Sequence, residues 1–79
     1  MKKEIQTGRC FQGNGNDGKE YTLIEYQEKV LIKADNAAPF YQETGLIYRT
    51  HNTQERVLRE SDDFILRNEH GDIIIKVRK

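Results

Sequence analysis

The chain has 79 residues, thirteen basic and thirteen acidic, with an apolar share of 35% and no tryptophan. A chain this short makes one domain, residues 1–79, and buries only roughly 60–65% of the surface its unfolded form exposes, so its core is thin. The charge balance holds on both sides of Gly45, with 6 basic and 7 acidic residues up to it and 7 and 6 after it, which excludes the basic excess that usually marks a nucleic-acid module.

In chain order, Lys3 to Phe11 holds Ile5, Cys10 and Phe11 among polar neighbours and predicts a weak strand. Gly13-Asn14-Gly15-Asn16-Asp17-Gly18 follows. Asp-Gly tolerates positive φ at both central positions of a tight hairpin turn, so the first strand is expected to pair with the segment after Gly18. That segment, Lys19 to Lys33, reads two ways. As a strand it puts Thr22, Ile24, Tyr26, Val30 and Ile32 on one face and Glu25, Gln27 and Lys29 on the other. As a helix it offers a stripe of Leu23, Tyr26, Gln27, Val30 and Leu31, with Glu25 and Lys29 as an i, i+4 pair. Tyr21-Thr22-Leu23-Ile24 and the preceding turn favour a long strand with a bulge near Glu28. Lys33 to Thr44 reads as a connection, with a turn at Asp35-Asn36, Ala38 held out of the helical region by Pro39, and Phe40 and Tyr41 plugging the end of the core.

From Gly45 the pattern sharpens. Leu46–Thr50, Arg56–Arg59, Phe64–Arg67 and Ile73–Val77 are short runs rich in β-branched and aromatic residues, separated by polar turns at close spacing. Such spacing predicts antiparallel strands joined by hairpins. The expected fold is all-β or β-dominated: five to six antiparallel strands in a small barrel or curved sheet. Its core is expected from Ile24, Val30, Ile32, Leu46, Tyr48, Val57, Phe64, Leu66, Ile73, Ile75 and Val77. The alternative is α+β, with a helix over residues 20–33 packed on a C-terminal meander.

Several residue groups suggest chemistry and carry a plainer structural reading. Gly13, Gly15 and Gly18 spell G-x-G-x-x-G, but a phosphate-binding loop needs a helix after it, and a strand is expected here. Asn14, Asn16 and Asp17 supply one carboxylate, too few for a calcium loop. His51, His70 and Cys10 lack the close pairing of zinc ligands. His70 beside Asp72 could form a proton-transfer pair, and a cleft joining His70, Asp72 or Cys10 to other reactive groups would overturn a non-catalytic reading. Asp62 and Asp63, adjacent in a turn, fit strand termination better than acid–base work. No catalytic, cofactor-binding or metal residue is therefore assigned, and no cofactor is expected.

The broadest constellation is basic and aromatic. Tyr48, Arg49, Arg56, Arg59 and Arg67, with Lys76 and Arg78 beyond them, alternate with core residues along successive strands. Shared on one face, they would suit a partner surface or a nucleic-acid-binding barrel. Glu55, Glu60, Asp62, Asp63, Glu69 and Asp72 are interleaved at the same density, as on a solvated sheet face.

Tyr48-Arg49-Thr50, Val57 and Ser61-Asp62-Asp63-Phe64-Ile65-Leu66 resemble the C-terminal part of small uncharacterised bacterial β-rich proteins, in which a Y-R-T strand, a turn, a short strand and a strand opening on paired aspartates follow one another. This chain departs from that pattern in lacking glycine between His51 and Gln54. The resemblance implies a compact bacterial β-rich domain and carries no site residue across.

The functional expectation is a non-catalytic module that binds a protein partner or pairs with itself as a homodimer, by strand addition. Nucleic-acid binding is the alternative and an enzyme the least favoured. No stretch approaches the length of a membrane span, and Met1-Lys2-Lys3-Glu4-Ile5-Gln6 lacks the apolar run of a secretion signal, so the cytoplasm is the expected compartment.

Overall fold

The computed structural model describes residues 1–78. Alternation and turn chemistry produce six strands: β1 (Lys2–Gly15), β2 (Glu20–Ala34), β3 (Ala37–Thr50), β4 (Arg56–Glu60), β5 (Asp63–Leu66) and β6 (Ile73–Val77). They pair antiparallel in sequence order, and β1 meets β6 to close a barrel. The fold is all-β, and residues 20–33 form no helix. Among the described residues no helix is long and apolar enough to cross a membrane.

The strands differ greatly in length. β1, β2 and β3 run 14, 15 and 14 residues, whereas β4, β5 and β6 run 5, 4 and 5. Only the lower part of the long strands is therefore ringed by all six. Their upper part stands free as a three-stranded ribbon, drawing the molecule out to 53 × 27 × 23 Å. Lys2 pairs with Val30, and β2 and β3 continue as a hairpin from Leu31–Tyr41 to Ala34–Ala37 across the Asp35-Asn36 turn.

The core lies inside the ring: Leu23, Tyr48, Val57, Phe64, Leu66 and Ile75, with Phe11, Tyr21, Ile73 and Val77 packed against it. The rings of Phe11, Tyr48 and Phe64 meet at centroid distances of 4.9 to 5.9 Å. β2 turns Leu23 inward, not the Ile24–Val30–Ile32 face that looked more apolar. The register decides this, because Leu23 stands beside Phe11 and Thr50, and Glu25 beside Tyr48. Tyr26 and Ile47, neighbours across β2 and β3 on the outer face, are also covered: the Tyr26 hydroxyl donates to Gln54 Oε1 at 3.1 Å. A bidentate Arg49–Glu4 pair links β3 to β1 across β2.

Two further expectations are corrected. Lys33–Thr44 is mostly strand, because β3 begins at Ala37 and pairs with β2 along the ribbon. Phe40 and Tyr41 plug nothing: they are 51% and 37% exposed, and Leu46 is 48% exposed just beyond the ring. The bulge expected in β2 near Glu28 falls on its neighbour instead: Glu28 pairs with Gly45 and Lys29 with Glu43, which leaves Thr44 of β3 as the extra residue.

The seam between β1 and β6 depends on glycine. A Cβ at Gly13 would lie 2.5 Å from the Lys76 carbonyl oxygen and 2.9 Å from Ile75 Cγ2. Backbone cannot yield as a flexible side chain can, so Gly13→Ala should lower the urea-unfolding free energy by about 1–3 kcal/mol. Gly18→Ala, with open space around it but φ +82°, should cost only about 1 kcal/mol. An unchanged midpoint in Gly13→Ala would mean the seam is looser than this spacing implies.

Candidate functional site

At the ribbon end of the ring, three residues of β1, Thr7-Gly8-Arg9, stand opposite the single Glu25 of β2, because the register runs from Gln6–Tyr26 directly to Cys10–Ile24. Gly8 takes φ +92°, which lets the bulge form. The bulge brings a hydroxyl to a buried acid. Thr7 Oγ1 donates to Glu25 Oε1 at 2.7 Å and the Tyr48 hydroxyl donates to Glu25 Oε2 at 3.1 Å. Glu25 is 2% exposed, and both of its oxygens are thereby satisfied. Arg59 completes the chain, its Nη1 donating to the Tyr48 hydroxyl at 3.1 Å.

The same Arg59 guanidinium lies 5.5 to 5.8 Å from the ring centroids of Phe11, Tyr48 and Phe64. Arg9 lies 5.4 Å from the Phe11 ring on its own account. Two cations thus rest on one aromatic floor, where the ring quadrupoles favour them. Among the described residues neither guanidinium has a carboxylate within 4 Å.

The opposite end of the barrel is a shallow bowl of about 770 Å³ framed by the β1–β2, β3–β4 and β5–β6 turns, with Tyr21, His51, His70, Asp17, Glu55 and Asp72 on its walls. It gathers both histidines and Asp72 without joining them. His51 Nδ1 meets Asn52 Oδ1 at 3.3 Å, and His70 is fixed through its backbone N–H to Asn68 Oδ1. No hydrogen bond links either ring to an acid among the described residues, and Cys10 is exposed elsewhere, on β1. Among the described residues no group of three His, Cys, Asp or Glu side chains could hold a metal ion.

The G-x-G-x-x-G glycines serve turn and seam. A Cβ at Gly15 would strike Asp17 Oδ1 and the Tyr21 ring, while Gly18 supplies the positive φ of the turn. Asp17 Oδ1 accepts the Lys19 N–H at 3.1 Å and Oδ2 accepts the Tyr21 hydroxyl at 2.6 Å.

The structure does not bring the five predicted face residues together. Tyr48 is buried at 5% exposure. Arg49 is engaged with Glu4 on the outer face and stands opposite Arg56; Arg59 caps the ring, and Arg67 sits in the β5–β6 turn. Asp63 opens β5 opposite Glu60, with Asp62 in the turn between them. Sequence reading missed Glu25 and Arg9. Glu25 belonged to the more polar alternation of β2, and only the partner register shows that this alternation faces inward. Arg9 had no visible signal beyond a glycine before it.

Most of the exposed large apolar side chains lie on the ribbon. Met1, Ile5, Phe40, Tyr41 and Leu46 are five of the seven large apolar side chains that stand exposed. Ile5, Gln27 and Leu46 form one row across the three strands and Lys3, Lys29 and Glu43 the next. Leu31, with Tyr41 beside it and the Met1 carbonyl on its N–H, begins a third. Lys3 Nζ sits 4.3 Å from the Tyr41 ring centroid, and Lys29 Nζ 3.9 Å from Glu43 Oε1. No protein-family model, curated protein or solved structure matches the chain.

The Tyr21–Asp17 bond has a readable pH signature. Donation to the carboxylate pushes the Tyr21 phenol from its ordinary value near 10 up to about 12, and holds Asp17 below its ordinary value. The folded state keeps the Tyr21 proton more tightly than the unfolded chain. Its contribution to stability is therefore complete below pH 10 and should be lost as pH rises through about 12. For Asp17 the sign is opposite, its contribution present above the ordinary carboxyl value and lost as acid protonates it. Phenolate absorbance should show one tyrosine titrating near 12, and Asp17→Asn should return it toward 10.

Proposed function

We propose that the protein is a non-catalytic contact module that takes an extended protein segment, from another protein or from a second copy of itself, along its ribbon. The observation that carries this is the coincidence of exposed apolar side chains with unpaired strand edges. β1 pairs only with β2 from Lys2 to Gln6, and β3 pairs with β4 only at Tyr48 and Arg49. A row of free N–H and C=O groups beside apolar side chains is what strand addition uses, the backbone supplying affinity and alternate side chains specificity. Exposed apolar side chains gathered on one ribbon of a small domain favour a binding role.

The separation of reactive groups in the bowl supports a role in contact over one in chemistry, since acid–base work needs groups within hydrogen-bond reach of each other and of substrate. A reducing compartment such as the cytoplasm suits the lone exposed thiol of Cys10.

Peptides selected for binding from an extended random library locate the surface. Hydrogen exchange on their complexes should show protection gathered in residues 2–6 and 40–47. Protection concentrated in residues 51–55 and 67–72 would move the site to the bowl and sink the ribbon reading. Mixed oligonucleotides at low salt should fail to bind, whereas phosphate contacts would give an affinity that falls steeply with added salt.

A further inference from the structure

Resting on the ribbon reading, we infer that its inner face selects an extended peptide whose side chains on one side alternate acidic and apolar. The inner face continues the barrel interior, and its successive rows alternate in chemistry. At the mouth lie Arg9 and Arg59 on the Phe11 ring. Next comes the row of Ile5 and Leu46 flanking Gln27, then Lys3 and Lys29 with Glu43, then Leu31 with Tyr41 and Met1. The order from the mouth outward is cationic, apolar, cationic, apolar.

Rows on one face of a strand repeat every second residue, about 6.6–6.8 Å. A partner strand added at a free edge repeats at the same interval and extends this face. Its alternate side chains therefore fall row by row, an acid at the arginines, an apolar group at Ile5 and Leu46, an acid at the lysines and an apolar group at Tyr41. Two acids four residues apart, about 13–14 Å, match the two cationic rows.

The charges are available for this. Arg9 and Arg59 have no carboxylate within 4 Å among the described residues, although Glu60 and Asp62 flank Arg59 in sequence. Glu25 at the mouth is turned to Thr7 and Tyr48. In the lysine row, Glu43 answers Lys29 while Lys3 lies on the Tyr41 ring. A guanidinium resting on an aromatic ring keeps in-plane donors for an incoming carboxylate, and such charge-assisted bonds are the strong ones. The apolar rows exclude a simple polyanion as the best fit, since Ile5, Leu46 and Met1 would stay wet against it.

A labelled, end-capped peptide of repeating Glu-Thr-Leu-Thr tests the pattern by fluorescence anisotropy at low salt, against a composition-matched peptide with Glu and Leu blocked at opposite ends and one with Gln for Glu. The alternating peptide should bind at least tenfold more tightly than either. Arg9→Gln and Lys29→Gln should each weaken it about tenfold, and Arg56→Gln and Arg67→Gln should leave it unchanged. Arg9 is the main probe because Arg59→Gln also removes a hydrogen bond to core Tyr48; circular dichroism confirms folding of each variant. Equal binding of the blocked peptide, indifference to Arg9→Gln and Lys29→Gln, or tighter binding of an oligonucleotide would each overturn the inference. If the Gln peptide binds equally well and Ile5→Lys abolishes binding, the ribbon reading stands and the charge pattern falls. If no peptide binds, both fall.

Discussion

Three strands outrun the other three, and that inequality governs the molecule. Where all six run together, each strand has neighbours on both sides and the inward side chains form a dry aromatic core. Above that level β1, β2 and β3 continue with no opposite wall. The same alternation that points Leu23 and Tyr48 into the core then points Ile5, Leu46 and Tyr41 into the open. A closed barrel leaves no edge; this one leaves two, both on the ribbon.

The boundary between closed and open parts needs its own solution, because a core that ends in an open mouth admits water. Arg59 provides a lid that is apolar where it lies on three rings and polar where it meets the Tyr48 hydroxyl. Glu25 lies under that lid, held by two hydroxyl donors. Among the described residues no buried side-chain polar atom lacks a partner, so the network closes the core without an orphaned group.

The strand positions from β4 to β6 were legible because short hairpins are written locally: Ser61-Asp62 and Asn68–Asp72 mark turns between runs of period two. Residues 20–34 were legible as a strand through the Asp17-Gly18 turn and the β-rich start at Tyr21. Which face of β2 looks inward was not. Its even positions, Ile24, Tyr26, Val30 and Ile32, are the more apolar, and part of that set is covered instead by Arg49, Glu4 and Gln54 from outside. Residues 37–44 were missed for a related reason. Pro39 and a turn signal argue for a loop, yet a free edge tolerates proline because its N–H has no partner to lose. The proposed ribbon site depends on both features, and only the strand register sets them.

Exposed edges invite indiscriminate pairing, and this ribbon limits it. β1 opens on Lys2-Lys3-Glu4, and β3 is interrupted by Pro39 at one end and by the Thr44–Gly45 irregularity at the other, with φ +141° at Gly45. Charge, proline and bulge are the usual guards of an edge, and together they leave short windows in place of a long template. In the proposed mode a guest would draw much of its affinity from side chains on the inner face, which is how an edge becomes selective. Binding there would also feed back on the fold. A domain of this size has a thin margin of stability, and a ligand held at a hundred times its Kd adds about 2.7 kcal/mol. In the proposed mode the unclosed wall would couple occupancy to stability: a segment covering Ile5, Leu46 and Tyr41 would supply burial that the short strands of the barrel do not.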